Sequence, residues 1–423
     1  NQNRTHRTPG SGGVIRRKSG ADGSLSSGLA MYLNSTKSPS FRWMELSDFQ
    51  NGAIVGRTVV GFSLQDSVIE GTVGTAADEG ALRFGLPNPS GQNGLVGAGL
   101  LRNVVLSGSA GHNAAFYSQS SSMTLQIDGA TRPLCGMGSN SATTGGDGLY
   151  VLTQGTAAAT LTIGPCQFRG NRGAGIRLLA EDDSDLTVSV TQTDVHRLSG
   201  QGDEGIVLRN AGNAELTATI AQSNFFALPG ANVWMGQAPF NASATSLLRV
   251  TLLNNEDFSQ LPGATSPPWV VALSSTVGQV ARSRLLFNNG LTGLVLSSAT
   301  EALRISTPHA GTSPAADITL LDNHTDTTQS VGAPNSVTIS ATQAGANLCT
   351  SITGNTFHWD PPSGIGGPIL LTQANGATFR LERGVSSLAD SPSTVLTANN
   401  SSLTLNQVIG ALTVVQNGTC LTP

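Results

Sequence analysis

Apolar and polar residues alternate in short runs along most of the chain. This period of two places Leu, Ile and Val on one face and Thr or Ser on the other. Between residues 146 and 260 the runs form a unit that returns four times. Each unit opens on an apolar run led by Leu149, Ile176, Ile206 or Val233, spaced 27, 30 and 27 positions apart. A second alternating run follows at 161–163, 186–190, 216–220 and 250–252, then a short third element with Phe168, Val195, Phe225 or Phe258. Three short strands in roughly 27 residues cannot bury an apolar face alone. Stacked copies can, with equivalent strands paired in parallel about 4.8 Å apart around one continuous core. The expected fold is therefore all-β: a right-handed parallel β-helix, or β-solenoid, of three-strand coils with rim loops.

The same grammar, less regular, runs outward through 62–69, 79–84 and 101–106, and downstream through 293–296 and 354–357; 79–84 mirrors 204–208. Insertions at 85–97, 129–146 and 260–268 carry Gly, Pro and Ser and are expected as loops. Glycine is expected at the corners where φ must be positive. Asn171, Asn224, Asn254, Asn288 and Asn355 fall at corners, either as a stacked amide ladder or as ordinary turn residues. Three regions follow: an extended N-terminal arm over 1–27, a β-helix over 28–348, and C-terminal coils with a cap over 349–423. The arm is polar and lacks a strand pattern. Its own body or a neighbouring copy would have to hold it, and a neighbour is the expectation adopted.

Three segments carry a family resemblance: Gly146-Asp147-Gly148-Leu149, Asn171-Arg172-Gly173-Ala174-Gly175-Ile176 and Asn210-Ala211-Gly212-Asn213-Ala214-Glu215-Leu216. They resemble right-handed parallel β-helix repeats of bacterial secreted and surface proteins. The end, around Leu348-Cys349-Thr350 and Gly418-Thr419-Cys420, resembles the C-terminal part of autotransporter-like and adhesin-like passengers. The likeness spans about residues 28–420. It implies the fold and an extracellular or bacterial cell-surface location. It does not choose a function, because adhesins, lyases, hydrolases and tailspikes share the fold.

Composition narrows the choice. Charged residues make up 11% of the 423, aromatics 5%, and only Lys18 and Lys37 of the 22 basic residues are lysine. Helical bundles need more Glu, Lys and Arg than this, and disordered chains need a larger net charge than −4. With pI near 5.9 and no basic cluster beyond Arg16, Arg17 and Lys18, nucleic acid is not an expected partner. No run of 18 apolar residues offers a membrane span. The polar start without Met reads as a mature or excised product. Cys135, Cys166, Cys349 and Cys420 lack metal-site spacing and suit disulfides in an oxidising compartment. Three pairings are possible; Cys349–Cys420 is expected, and Cys135–Cys166 with it. Seven sequons, at Asn3, Asn34, Asn241, Asn323, Asn399, Asn400 and Asn417, are expected largely by chance in so Asn- and Thr-rich a chain.

Catalytic candidates are few. Asp182-Asp183 and Arg304-Ile305 partly echo polygalacturonase-type hydrolases, but Asn-Thr-Asp and Gly-His-Gly are missing. Asp182, Asp183 and Asp185, with Asp203 and Glu204, offer oxygen ligands for Ca2+ as in a lyase. Carboxylates in a turn before a strand more simply cap backbone N–H groups, so no cofactor or metal is expected. The six histidines are scattered and are expected on surfaces or loops. Trp234, Trp269 and Trp359 are candidate contact residues, for a sugar or another subunit. Outward rows (Thr160, Thr162; Thr187, Ser189; Thr217, Thr219; Thr251) suggest an ice-facing surface, interrupted by Arg249; β propensity explains them equally. The function expected is a non-catalytic extracellular structural or adhesive β-solenoid. It would assemble with copies of itself through its ends and arm, with surface glycans as further partners. A polysaccharide-cleaving enzyme or a tailspike-like glycan binder is the alternative.

Overall fold

The computed structural model describes residues 9–86, 93–140, 145–196, 204–226, 231–237, 245–258, 269–272, 282–288, 303–307, 314–328, 335–360, 367–400 and 407–421. Its secondary structure is nearly all parallel strand. The chain divides into two compact units, Asn1–Val207 and Leu208–Pro423, and each is a β-solenoid.

In unit 1 the lead strands are Leu29–Asn34, Gly52–Arg57, Leu82–Phe84, Ala114–Ser118, Leu149–Thr153 and Ile176–Ala180. Leu149 lies in register with Ile176, as the 27-residue spacing requires, and with Ala114 on the coil before. The second strands stack equally well. Leu125, Leu161 and Val188 form one inward column, and Ile127, Ile163 and Val190 the next. All six are buried, each burial contributing about 1.5–3 kcal/mol. Phe84 and Phe116 stack between coils with centroids 5.3 Å apart.

Unit 2 repeats the scheme. Ala218, Val250, Leu285, Ile318 and Thr350 occupy one inward column of its second strands. Val271, Ile305, Ile339, Leu371 and Val408 align in its lead strands. A helix, Pro392–Asn399, packs against strands Asn347–Thr353 and Gln407–Ile409. Ser391 accepts the Thr394 N–H, Pro392 starts the first turn, and Val395 and Leu396 are buried.

Several expectations need correction. The arm does not wait for a neighbour: Gly13–Lys18 is a strand paired in parallel with Met44–Phe49 of its own body. Asn51 reinforces it, donating to the carbonyls of Ala21 and Ser27. The Arg16-Arg17-Lys18 run masked the short apolar pair Val14 and Ile15. The 129–146 insertion is not wholly loop, because Gly136–Gly138 pairs with both Leu95–Ser107 and Gln167–Arg169. Phe225 lies over Asp257, so Phe258 is one place out of the expected column. The mirror of 79–84 on 204–208 is also shifted by one, since Leu82, not Ala81, joins the lead column. The candidate strand 293–296 and the loop 260–268 lie outside the described residues.

Glycine turns the corner after the second strands at Gly354, with φ 70°, but not at most coils. Asp66, Asn103 and Gln192 in unit 1, and Gln222, Asn254 and Asp322 in unit 2, hold φ between 49° and 52° there. A side chain in this conformation costs about 1–2 kcal/mol. Hydrogen bonds to the adjoining coil offset it: Gln222 N–H donates to Leu253 O, Asn254 N–H to Asn288 O and Asp322 N–H to Thr353 O. The residue after this corner points inward. The amide ladder therefore runs through Asn323, Asn355 and Asn400, with Asn355 Oδ1 accepting from Asn323 Nδ2 at 2.8 Å and Asn400 Oδ1 from Asn355 Nδ2 at 3.0 Å. Asn224, Asn254 and Asn288 are outside it. Asn171 belongs to a second set at another corner, where its Oδ1 accepts from Asn113 Nδ2 at 3.0 Å.

Candidate functional site

The acidic turn does not assemble a site. Asp182, Asp183 and Asp185 are exposed; the Asp182 carboxylate accepts the Gly155 N–H at 3.0 Å, and the Asp183 and Asp185 N–H groups donate to Gly155 O and Ala157 O. Ser184 between them is buried against Thr153. The turn thus clamps the preceding coil, and Asp203 lies outside the described residues. Trp234 is half-buried on the outward side of Val233–Gln237, its ring lying where a Cβ on Gly236 would collide with it. Trp269 and Trp359 sit in strands Trp269–Ala272 and Thr356–Asp360, and their side chains lie outside the described residues.

Both cysteine pairs are closed, Cys135–Cys166 and Cys349–Cys420. Asp317 stands in register with Cys349, and one ligand atom from each of Asp317, Cys349 and Cys420 falls within 4.8 Å of the others. The disulfide leaves no thiolate there, and thiolate is the form that ligates metal. The threonine rows do align, Thr124 over Thr160 over Thr187 and Thr162 over Ser189. In unit 2 Thr217 lies over Arg249, which pairs with Glu215 at 2.7 Å. Of the described sequons, Asn323, Asn399 and Asn400 are buried with their amides donating to backbone or ladder. Asn34 and Asn417 are exposed.

The polar cluster that does form was not expected. It lies on the outward face of the unit 1 lead strands. His112 precedes Ala114–Ser118, Asp147 precedes Leu149–Thr153, Tyr150 stands in register with Arg177, and Glu204 follows on the next coil. Tight Gly corners bring these positions together: Gly146 N–H donates to Gly111 O, and Gly173 N–H to Gly146 O. Asp147 sits at the centre, its side chain only 4% exposed. Its Oδ1 accepts the Ala174 N–H at 2.6 Å, and its Oδ2 accepts Arg177 Nε at 3.0 Å. The other edge of the Arg177 guanidinium reaches Glu204 Oε2 at 3.7 Å. His112 Nδ1 accepts the Asp147 N–H at 2.9 Å and lies 3.3 Å from Oδ2. The His112 ring stacks on Tyr150 at 4.6 Å, and Tyr150 meets Tyr117 at 5.5 Å.

Electrostatics follow from this packing. Burial alone would raise the Asp147 carboxyl, but His112 and Arg177 outweigh it and hold the group below the ordinary carboxylate range. Burial works against the Arg177 charge, yet Asp147 and Glu204 keep it firmly protonated. Burial pushes the Tyr117 hydroxyl up, so it stays a proton donor. A general acid needs its pKa raised toward neutrality. Asp147 is displaced the other way, with both oxygens already engaged. His112 lies in the turn before Ala114–Ser118 and is partly exposed, as expected of a loop histidine, and it lies 35 positions before Asp147. Only superposed coils could have joined them: Tyr150 over Arg177 at the 27-residue repeat was the available signal.

The chain matches no family model, no curated protein and no solved structure. The resemblance of its repeats therefore rests on the solenoid itself.

Proposed function

We propose that this chain is a non-catalytic extracellular β-solenoid with a structural or adhesive role, assembling with copies of itself. The observation that carries the proposal is the state of Asp147. The most deeply placed carboxylate of the outer cluster is spent on Arg177 and the Ala174 N–H, and is held ionised. Such a group fixes a surface; it does not deliver a proton. The two disulfides support an oxidising compartment. Low charge suits close packing of copies, because little repulsion accumulates between them.

The route to assembly is narrower than the sequence suggested. The edge strand Gly13–Lys18 carries Arg16, Arg17 and Lys18, and charged edge residues discourage strand addition. One feature favours the enzymatic alternative: Asp147 and Glu204 share one guanidinium, so two carboxylates face the same space. Sedimentation and electron microscopy of the purified chain test the assembly reading. Concentration-dependent higher-order particles are expected, and a monomer at all concentrations overturns it.

A further inference from the structure

We propose that the last described coil of unit 2 is a docking end that takes the same coil of a second copy. The two Thr413–Val415 edges pair antiparallel across a two-fold axis. The proposal deepens the self-assembly reading by naming the surface and its partner, and it rests on that reading.

The coil carries the strands Gln407–Ile409 and Thr413–Val415, and each has a strand neighbour on one side only among the described residues. Their far edges therefore offer backbone N–H and C=O groups to a further strand. Val408 and Val414 continue the inward columns of Leu371 and Leu381, which are buried, yet both valines are partly exposed. The apolar core thus opens at this end. Ile409 on its rim is 54% exposed, and Val385 is 81% exposed. Val385 belongs to the same end, because Gly384 N–H donates to Asn417 Oδ1 at 2.8 Å and Gly384 O accepts from Asn417 Nδ2 at 2.9 Å. The described chain does not add a further coil, since Cys420 returns to Cys349, two strands back.

A bare strand edge selects its partner by backbone geometry, because another strand supplies the matching groups. Charge decides which strand. No charged residue occurs between Ser391 and Pro423. The edge Gly13–Lys18 of unit 1 instead carries Arg16, Arg17 and Lys18, which discourage strand addition. Docking two such edges together would oppose two basic runs. Docking a Gly13–Lys18 edge on the unit 2 end would desolvate its charges against strands that offer no acidic group. Docking two unit 2 ends opposes only uncharged, largely β-branched residues, which suit strand pairing. Such a contact is isologous and closes at two copies, so any larger particle is built from dimers.

The test is analytical ultracentrifugation of the intact chain over a range of concentrations, with Val385→Lys, Ile409→Lys and Tyr32→Lys. The wild type should dimerise reversibly. V385K and I409K should each weaken dimerisation about ten-fold or more, since the two-fold brings in every substitution twice. Y32K changes an exposed residue of Leu29–Asn34 in unit 1 and should leave dimerisation as it is. All three positions are exposed, so the wild-type circular dichroism and melting temperature should be kept. Thr413→Cys should link to its own mate on air oxidation, because the native cysteines are already paired. A monomer at all concentrations overturns the docking end and self-assembly together. Assembly that V385K and I409K leave intact overturns the docking end and spares self-assembly. Assembly weakened as much by Y32K, or a T413C variant that does not link, overturns the two-fold pairing.

Discussion

The inward position after the second-strand corner is sealed covalently in unit 1 and by amides in unit 2. Gly136 lies over Gln167, so Cys135 and Cys166 are ladder neighbours, with Cα atoms 4.6 Å apart. That distance is close to the natural strand spacing of about 4.8 Å. Thr193 takes the same place one coil on, buried, its hydroxyl donating to Thr191 O. In unit 2 the column reads Ser223, Asn255, then Asn323, Asn355 and Asn400, all buried. Each interior amide works in two directions: Asn355 Oδ1 accepts the Asn323 N–H, and Asn355 Nδ2 donates to Leu320 O and Thr353 O. A disulfide removes the need for hydrogen bonds but joins only two coils. An amide satisfies the corner and can be repeated at every coil.

Breaking the covalent version should cost most. For the 31-residue separation of Cys135–Cys166, loop-closure entropy sets the loss at about 4 kcal/mol, and somewhat more for the 71 residues of Cys349–Cys420. Denaturant midpoints of the C135S/C166S and C349S/C420S variants measure both. Asn355→Ala should follow, at about 3 kcal/mol, because it strands buried backbone groups on two coils. Its control is Asn254→Ala, one residue off the inward column in unit 2, which loses only the asparagine's ease in a left-handed corner, about 1 kcal/mol. Equal effects at 254 and 355 would remove the distinction between the corner residue and the ladder residue.

This off-by-one distinction explains what was legible in the chain. The period of two and the 27-residue return carried the solenoid and most of its strand register, though not the places of Phe258 and 79–84. Asn-rich corners were visible too. Which of two adjacent turn residues faces inward depends on a positive φ that nothing in the letters marks, since Asp, Asn and Gln adopt it here as readily as Gly. The N-terminal strand was hidden because an edge strand needs only Val14 and Ile15 to dock. The His112–Asp147–Arg177–Glu204 cluster was hidden more deeply. Its members sit on successive coils, tens of residues apart, and the Gly146-Asp147-Gly148 repeat segment and Glu204 gave no sign that they meet.

A smaller effect belongs to that cluster. Asp147→Asn should destabilise unit 1 by about 2–3 kcal/mol, because Arg177 loses its main partner while the Ala174 N–H keeps one. The pH dependence has a defined sign. A carboxyl held low in the fold contributes stability that is fully present above the ordinary value near pH 4 and is lost as pH falls through the folded pKa. Acid unfolding of the wild type should therefore steepen below pH 4, and the D147N variant should lack that component. The smallest effect is expected on the threonine face. Thr160→Val should change stability by no more than about 0.5 kcal/mol, since an exposed outward position has little to lose.

The most direct test of the central claim is release of sugar from polysaccharide. Purified chain incubated with acidic and neutral polysaccharides across pH 4–9 should release no reducing ends or unsaturated products above a boiled control. Release that Asp147→Asn abolishes in a folded variant would contradict a binding surface and establish a catalytic one.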